Sequence, residues 1–206
     1  MSTTYPDLDH RAAVVSAGGG QIDAAAAQEA VAALLRALGV DQATEIAART
    51  PARAATGLIE LLSAPSWEFT TFPNVEGHHE LVLEQDIAFT SVCAHHLLPF
   101  SGHAHVGIYP GKRLAGLSKI ARAVTTFAAG LQVQEELGQQ LAGFLEQHLE
   151  CLGVGVVLQA EHLCMTRRGA QAAGTRTTTI ATRGRLRTDA AARAELLTLI
   201  TAGRTA

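Results

Sequence analysis

The sequence predicts an α+β fold built on an antiparallel sheet. Three observations carry that prediction. Strand-like and helix-like stretches come in separate blocks, which favours antiparallel pairing over an alternating βαβ arrangement. Two long runs, GVGVVLQAEHLCMTRRG and GTRTTTIATRGRLRT, are rich in Val, Thr and Ile and read as strands. The chain has 206 residues, 48% apolar and 17% charged, enough to bury one core and too apolar to stay disordered.

Each element can be justified in chain order. Residues 1–20 end in SAGGG and are expected to form a flexible tail. QIDAAAAQEAVAALLRALG sets Ile22, Ala26, Ala30, Ala33, Leu34 and Leu38 near one 3.6-residue stripe that stops at Gly39, which predicts an amphipathic helix. Asp41 is placed to cap a short helix. Thr50 and Pro51 supply an N-cap and a first-turn proline for another helix over PARAATGLIELLS. Residues 21–64 thus form a helical N-terminal segment, and residues 65–206 the main domain. After Pro65, HELVLEQDIAFTSVC, GHAHVGIYP and KRLAGLS carry strand-like stretches. From Ser118 to Leu152 the pattern is helical with a break near Gly130. The two Val/Thr-rich strands follow, and DAAARAELLTLI closes as a helix capped by Asp189.

A net charge of −3 gives no whole-chain case for nucleic acid or an anionic membrane as partner. No run of about 18 apolar residues is present to span a bilayer. The N-terminus carries acids before any apolar stretch and does not read as a secretory signal. With only three cysteines, Cys93, Cys151 and Cys164, the expectation is a reducing cytoplasm and no disulfide framework.

Chemistry concentrates in SVCAHHLLPF and EHLCM. Cys93 and His96 are three apart, which suits a turn; His162 and Cys164 are two apart and would share a face if the strand continued through them. Cys93, His96 and Cys164 together make a Cys₂His set with a fourth position open, the stoichiometry of a catalytic zinc. Spacing alone leaves a second reading open, a satisfied polar knot in the core. GIYPGKR has the wrong glycine spacing for a P-loop. The paired H-x-E and P-C-x-x-C motifs of a zinc base deaminase are absent.

CAHHLLPFSG, GLSKIARAVTTFA, LQVQEELGQQLA and AEHLCMTRRGA, in this order and spacing, resemble GTP cyclohydrolase I over about residues 50–189. The resemblance implies the tunnelling fold (T-fold), an antiparallel sheet with helices on one side. It also implies a homodecamer of two stacked pentamers with active sites between subunits. Zn²⁺ would be held by Cys93, His96 and Cys164. His95 would work on the purine ring, with His162 as a second proton carrier beside the attacking water and Ser118 near the ribose. Lys119, Arg122, Arg168 and Arg53, the last serving a neighbouring subunit, would hold the triphosphate. Glu135, with Gln134 beside it, would read guanine. GTP would be hydrolysed at C8 to formate and 7,8-dihydroneopterin triphosphate.

Two departures stand out. The family usually reads CEHH where this chain has Ala94, and Ala129 and Gly130 stand where relatives commonly carry arginine. Two alternatives remain open on the sequence. One is a GTP- or pterin-binding ring without turnover; the other is a cyclohydrolase dedicated to a natural-product pathway.

Overall fold

The computed structural model describes residues 11–15 and 21–203. Helix α1 (Ala24–Ala37) begins where the Asp23 carboxylate accepts from the Ala26 N–H at 2.9 Å. It ends before Gly39, whose φ of 77° turns the chain in a region that suits glycine. None of its residues is buried, so the Leu34–Leu38 stripe lies open on this chain.

Helix α2 (Glu45–Leu62) corrects the expected pair of short helices. It is one helix, with Thr44 instead of Thr50 as N-cap and Pro51 inside it. The Thr44 hydroxyl accepts from Ala47 N–H at 3.2 Å, so nucleation happens before the proline is reached. Ala47, Pro51 and Ala55 then form the buried stripe at four-residue spacing, and packing tolerates the missing proline N–H. Asp41 accepts from Ala43 N–H in a turn and caps no helix of its own.

A three-stranded sheet, in order β1-β2-β5, joins β1 (Arg11–Val15), β2 (Trp67–Pro73) and β5 (Arg113–Ala115). Strand β1 falls inside the expected tail and corrects that part of it: Arg11 to Val15 pair antiparallel with Thr71 to Trp67. The rest of residues 1–20 lies outside the described residues.

The five-stranded sheet has the order β6-β3-β4-β7-β8. It comprises β3 (Val82–Cys93), β4 (Pro99–Tyr109), β6 (Leu131–Gln132), β7 (Gly153–His162) and β8 (Thr177–Gly184), antiparallel except where β6 runs beside β3. Helix α3 (Leu117–Ala128) and helix α4 (Gln134–Leu149) lie on one side of it, as the tunnelling fold implies. Gly116 is the N-cap of helix α3, so Ser118 sits in its first turn. The break between α3 and α4 falls at Gly130, with φ 114°.

Leu137, Leu141, Leu145 and Leu149 recur every four residues along α4, each at most 2% exposed, and pack with Phe100, Val106, Val156 and Leu158. Each such leucine contributes about 1.5–3 kcal/mol of burial. Beyond a one-turn helix, α6 (Arg185–Thr188), the C-terminal helix α7 (Ala190–Ala202) is capped by Asp189, as expected, and its Leu196 reaches a second cluster around Tyr109 and Val157. Among the described residues no helix is long and apolar enough to cross a membrane.

Candidate functional site

Strand β3 delivers Cys93 to a tight turn. The Cys93 carbonyl accepts from His96 N–H at 3.3 Å and from Leu97 N–H at 2.9 Å, with Leu97 in the left-handed region at φ 55°. Cys93 N–H donates back to Leu98 O, and Ala94 N–H donates to Gln132 O on β6 at 3.0 Å, so the turn is pinned at both sides. The three-residue spacing thereby brings Cys93 Sγ within 3.8 Å of His96 Nδ1.

The second half of the cluster comes from the end of β7. The strand stops at His162, and Cys164 belongs to a one-turn helix, α5 (Leu163–Thr166), so the two do not share a strand face as a continued strand would require. That turn swings Cys164 toward Cys93. One donor atom from each of Cys93, His96 and Cys164 lies within 4.8 Å of the other two. Tetrahedral zinc, with Zn–S of about 2.3 Å and Zn–N of about 2.0–2.1 Å, sets donor separations of roughly 3.5–3.8 Å. The set is therefore close to a zinc-binding arrangement and fits that ion by donor type as well. Burial and the neighbouring Cys93 push the Cys164 thiol up, while Arg168 acts in the opposite direction.

A cleft of about 250 Å³ opens on these three side chains and is lined also by His95, Gln134, Glu135 and His162. The His95 and His96 rings are 6.2 Å apart and inclined at 76°, so adjacent histidines present different atoms to different neighbours. Register pairs His162 with Phe100, and their rings stack at 4.5 Å with 3° between planes. His162 Nε2 lies 2.7 Å from Gln134 Oε1. Burial holds its pKa below the ordinary imidazole value, with Glu135 working the other way.

The other expected residues do not line this cleft in the single chain, although Arg168 is near enough to act on the Cys164 thiol. Lys119 donates to Glu68 O at 2.8 Å, and Lys119 and Arg122 stand 5.6 and 5.3 Å from the centre of the Trp67 ring. Arg122 and Trp67 line a separate cleft of about 560 Å³. Ser118, Arg53 and Arg168 are exposed. Sequence reasoning missed Phe100 under His162 and Trp67 under the two cations; the lone tryptophan was the available signal for the second.

The family model for GTP cyclohydrolase I matches residues 27–201. GTP cyclohydrolase 1 of Aquifex aeolicus (strain VF5) is 42% identical over 179 residues, covering 87% of this chain and 97% of that protein. GTP cyclohydrolase 1 of Halalkalibacterium halodurans is 46% identical over 185 residues, covering 87% and 98%. That of Mycobacterium leprae (strain TN) is 47% identical over 179 residues, covering 84% and 87%.

Proposed function

The chain belongs to the GTP cyclohydrolase I family, and from that premise we propose that it opens the imidazole ring of GTP at C8, with zinc held by Cys93, His96 and Cys164. The products are formate and 7,8-dihydroneopterin triphosphate. One observation supports this reading above the rest: two thiols and an imidazole nitrogen converge within 4.8 Å in a cleft that two further histidines and a glutamate also line.

Zinc, when bound, supplies Lewis acidity that makes water nucleophilic near neutral pH. The chain's own side chains do the rest. His95 donates a proton to N7, which draws electrons from C8 and makes it a better electrophile. His162 takes a proton from the attacking water and returns it to the departing ring nitrogen. Glu135 accepts from N1–H and from the 2-amino group; adenine, lacking that pattern, would leave the carboxylate without donors. A second water releases C8 as formate. The freed ribose rearranges, with Ser118 near it, and the amine closes on the new carbonyl with loss of water. Two waters enter and one leaves.

Lys119, Arg122, Arg168 and Arg53 hold the triphosphate, and Gln134 lies beside Glu135 in the chain. The site is completed by neighbouring copies in a homodecamer of two pentamers. In support, the cleft is small for a nucleotide, and Lys119 and Arg122 lie off it in one chain. Exposed Ile22, Leu34 and Leu38 offer apolar surface for such contacts. Three free thiols suit a reducing cytoplasm.

Incubation with [8-¹³C]GTP tests the reading. The label is expected to emerge as [¹³C]formate; label retained in the purine or the pterin would sink it.

A further inference from the structure

Gln134 opens helix α4 and is 1% exposed, yet its side-chain amide reaches four partners. Its Nε2 lies 3.1 Å from each of the Leu158 carbonyl, the Thr177 carbonyl and the Thr179 hydroxyl. Carbonyl oxygens can only accept, so the amide nitrogen has to face them. Turning the amide over would set Oε1 against two other oxygens in a buried site, at the full cost of unmade hydrogen bonds. Two amide protons serve three acceptors, one of them shared.

That orientation leaves Oε1 on the opposite side, 2.7 Å from His162 Nε2. An oxygen that only accepts requires a proton on that nitrogen. A neutral imidazole has one N–H, so its lone pair is then on Nδ1. The stack on Phe100, itself 1% exposed, holds the ring in one plane. Among the described residues no protein group hydrogen-bonds His162 Nδ1. The amide therefore ties α4, β7 and β8 together around one nitrogen of one histidine.

We propose that Gln134 is a positioning residue that locks His162 in its Nε2–H tautomer, with the ring's lone pair held on Nδ1. The proposal rests on the role given above to His162 and narrows the work of the Gln134 side chain. That side chain is used up inside the protein and reaches the chemistry through the imidazole. The family pairing of Gln134 with Glu135 then divides into two jobs on adjacent residues. Glu135 faces substrate, and Gln134 faces inward.

The test is a long-range ¹H–¹⁵N correlation spectrum of the full chain labelled at histidine, recorded zinc-free and zinc-loaded at mildly alkaline pH. His162 is assigned from its loss in His162→Asn. The expected pattern is a protonated Nε2 and a lone-pair Nδ1. In Gln134→Met both tautomers are expected, and kcat falls on the order of 10- to 100-fold with KM for GTP unchanged. An Nδ1–H tautomer in the wild-type spectrum overturns the lock without any variant, so a poorly folded mutant cannot shelter it. An unchanged tautomer in Gln134→Met, at full zinc content, also overturns it. Full turnover by His162→Asn would instead overturn the role of His162, whatever its tautomer.

Discussion

Replacing Cys164 with alanine removes one of three donors from a set that is nearly assembled before any ion arrives. Cys93 Sγ and His96 Nδ1 already stand 3.8 Å apart, and Cys164 completes a group within 4.8 Å. Closing it on zinc asks for side-chain shifts of about 1 Å, so little binding energy is lost to reorganisation. Four-ligand zinc sites bind with about 10–16 kcal/mol, or about 2.5–4 kcal/mol per ligand. At 1.36 kcal/mol per decade, Cys164→Ala is expected to weaken zinc by about 100- to 1,000-fold. The fold has little stake in this sulfur. Cys164 is half-buried on a one-turn helix at the edge of the core, and the zinc-free variant should lose less than about 1 kcal/mol. Competition against a chromophoric chelator measures the affinity, and thermal melting of the zinc-free protein measures the fold. Cys151→Ala is the control, since Cys151 packs against the core and is not one of the three clustered donors. Zinc affinity unchanged in Cys164→Ala would refute the ligand assignment. Equal weakening in both variants would refute the geometric reasoning.

Other expectations bear on the scaffold and on guanine reading. A Cβ on Gly102 would meet Gln159 O at 1.9 Å and Ala160 Cα at 2.6 Å, so Gly102→Ala must part β4 from β7. Its cost is expected at or above the top of the roughly 1–3 kcal/mol overpacking range, and an unchanged melting temperature contradicts this. Leu145, fully buried on α4, is expected to cost about 2–5 kcal/mol as Leu145→Ala. Denaturant melts measure that loss, while zinc content of the folded protein stays at the wild-type level. Tyr109 donates to Glu195 at 2.5 Å, and burial together with that carboxylate pushes the phenol up to about 12. The native state then holds a proton that the unfolded chain, with a tyrosine pKa of about 10, has released. Stability from this group is full below about pH 10 and lost as pH rises toward about 12, a limb that Tyr109→Phe should flatten in alkaline melts. Glu135→Gln is expected to lower kcat/KM for GTP by about 1–3 kcal/mol, with zinc content intact; steady-state kinetics with parallel metal analysis decide it.

The parts of the site that depend on neighbours in sequence were legible, and those that depend on distant packing were not. Cys93 and His96 could be placed in a turn because three residues is a turn's spacing, and the turn is there. The strand reading of His162 and Cys164 failed because β7 ends at His162, two residues short of Cys164, and a helical turn carries the cysteine round. Thr50 and Pro51 look like a helix start in isolation. Thr44 caps a whole turn sooner, and tertiary burial of Pro51 overrides the local signal. WEFTTFP has the aromatic and threonine content of a strand and forms β2. Gln134 shows the limit most clearly. Its neighbour Glu135 suggests a ligand contact, yet its own partners lie on β7 and β8 and are invisible until those strands are placed. Arg53, Lys119 and Arg122 are similar: charge and motif mark them, but a single chain does not bring them to the cleft.

Zinc titration of metal-stripped protein in the presence of GTP tests the central claim most directly, with formate and oxidised-pterin fluorescence followed together. The account predicts that both signals rise from nothing, stay in equal amounts, and saturate at one zinc per chain. Formate release that ignores zinc, or GTP bound by the zinc-loaded protein with neither product formed, would contradict it.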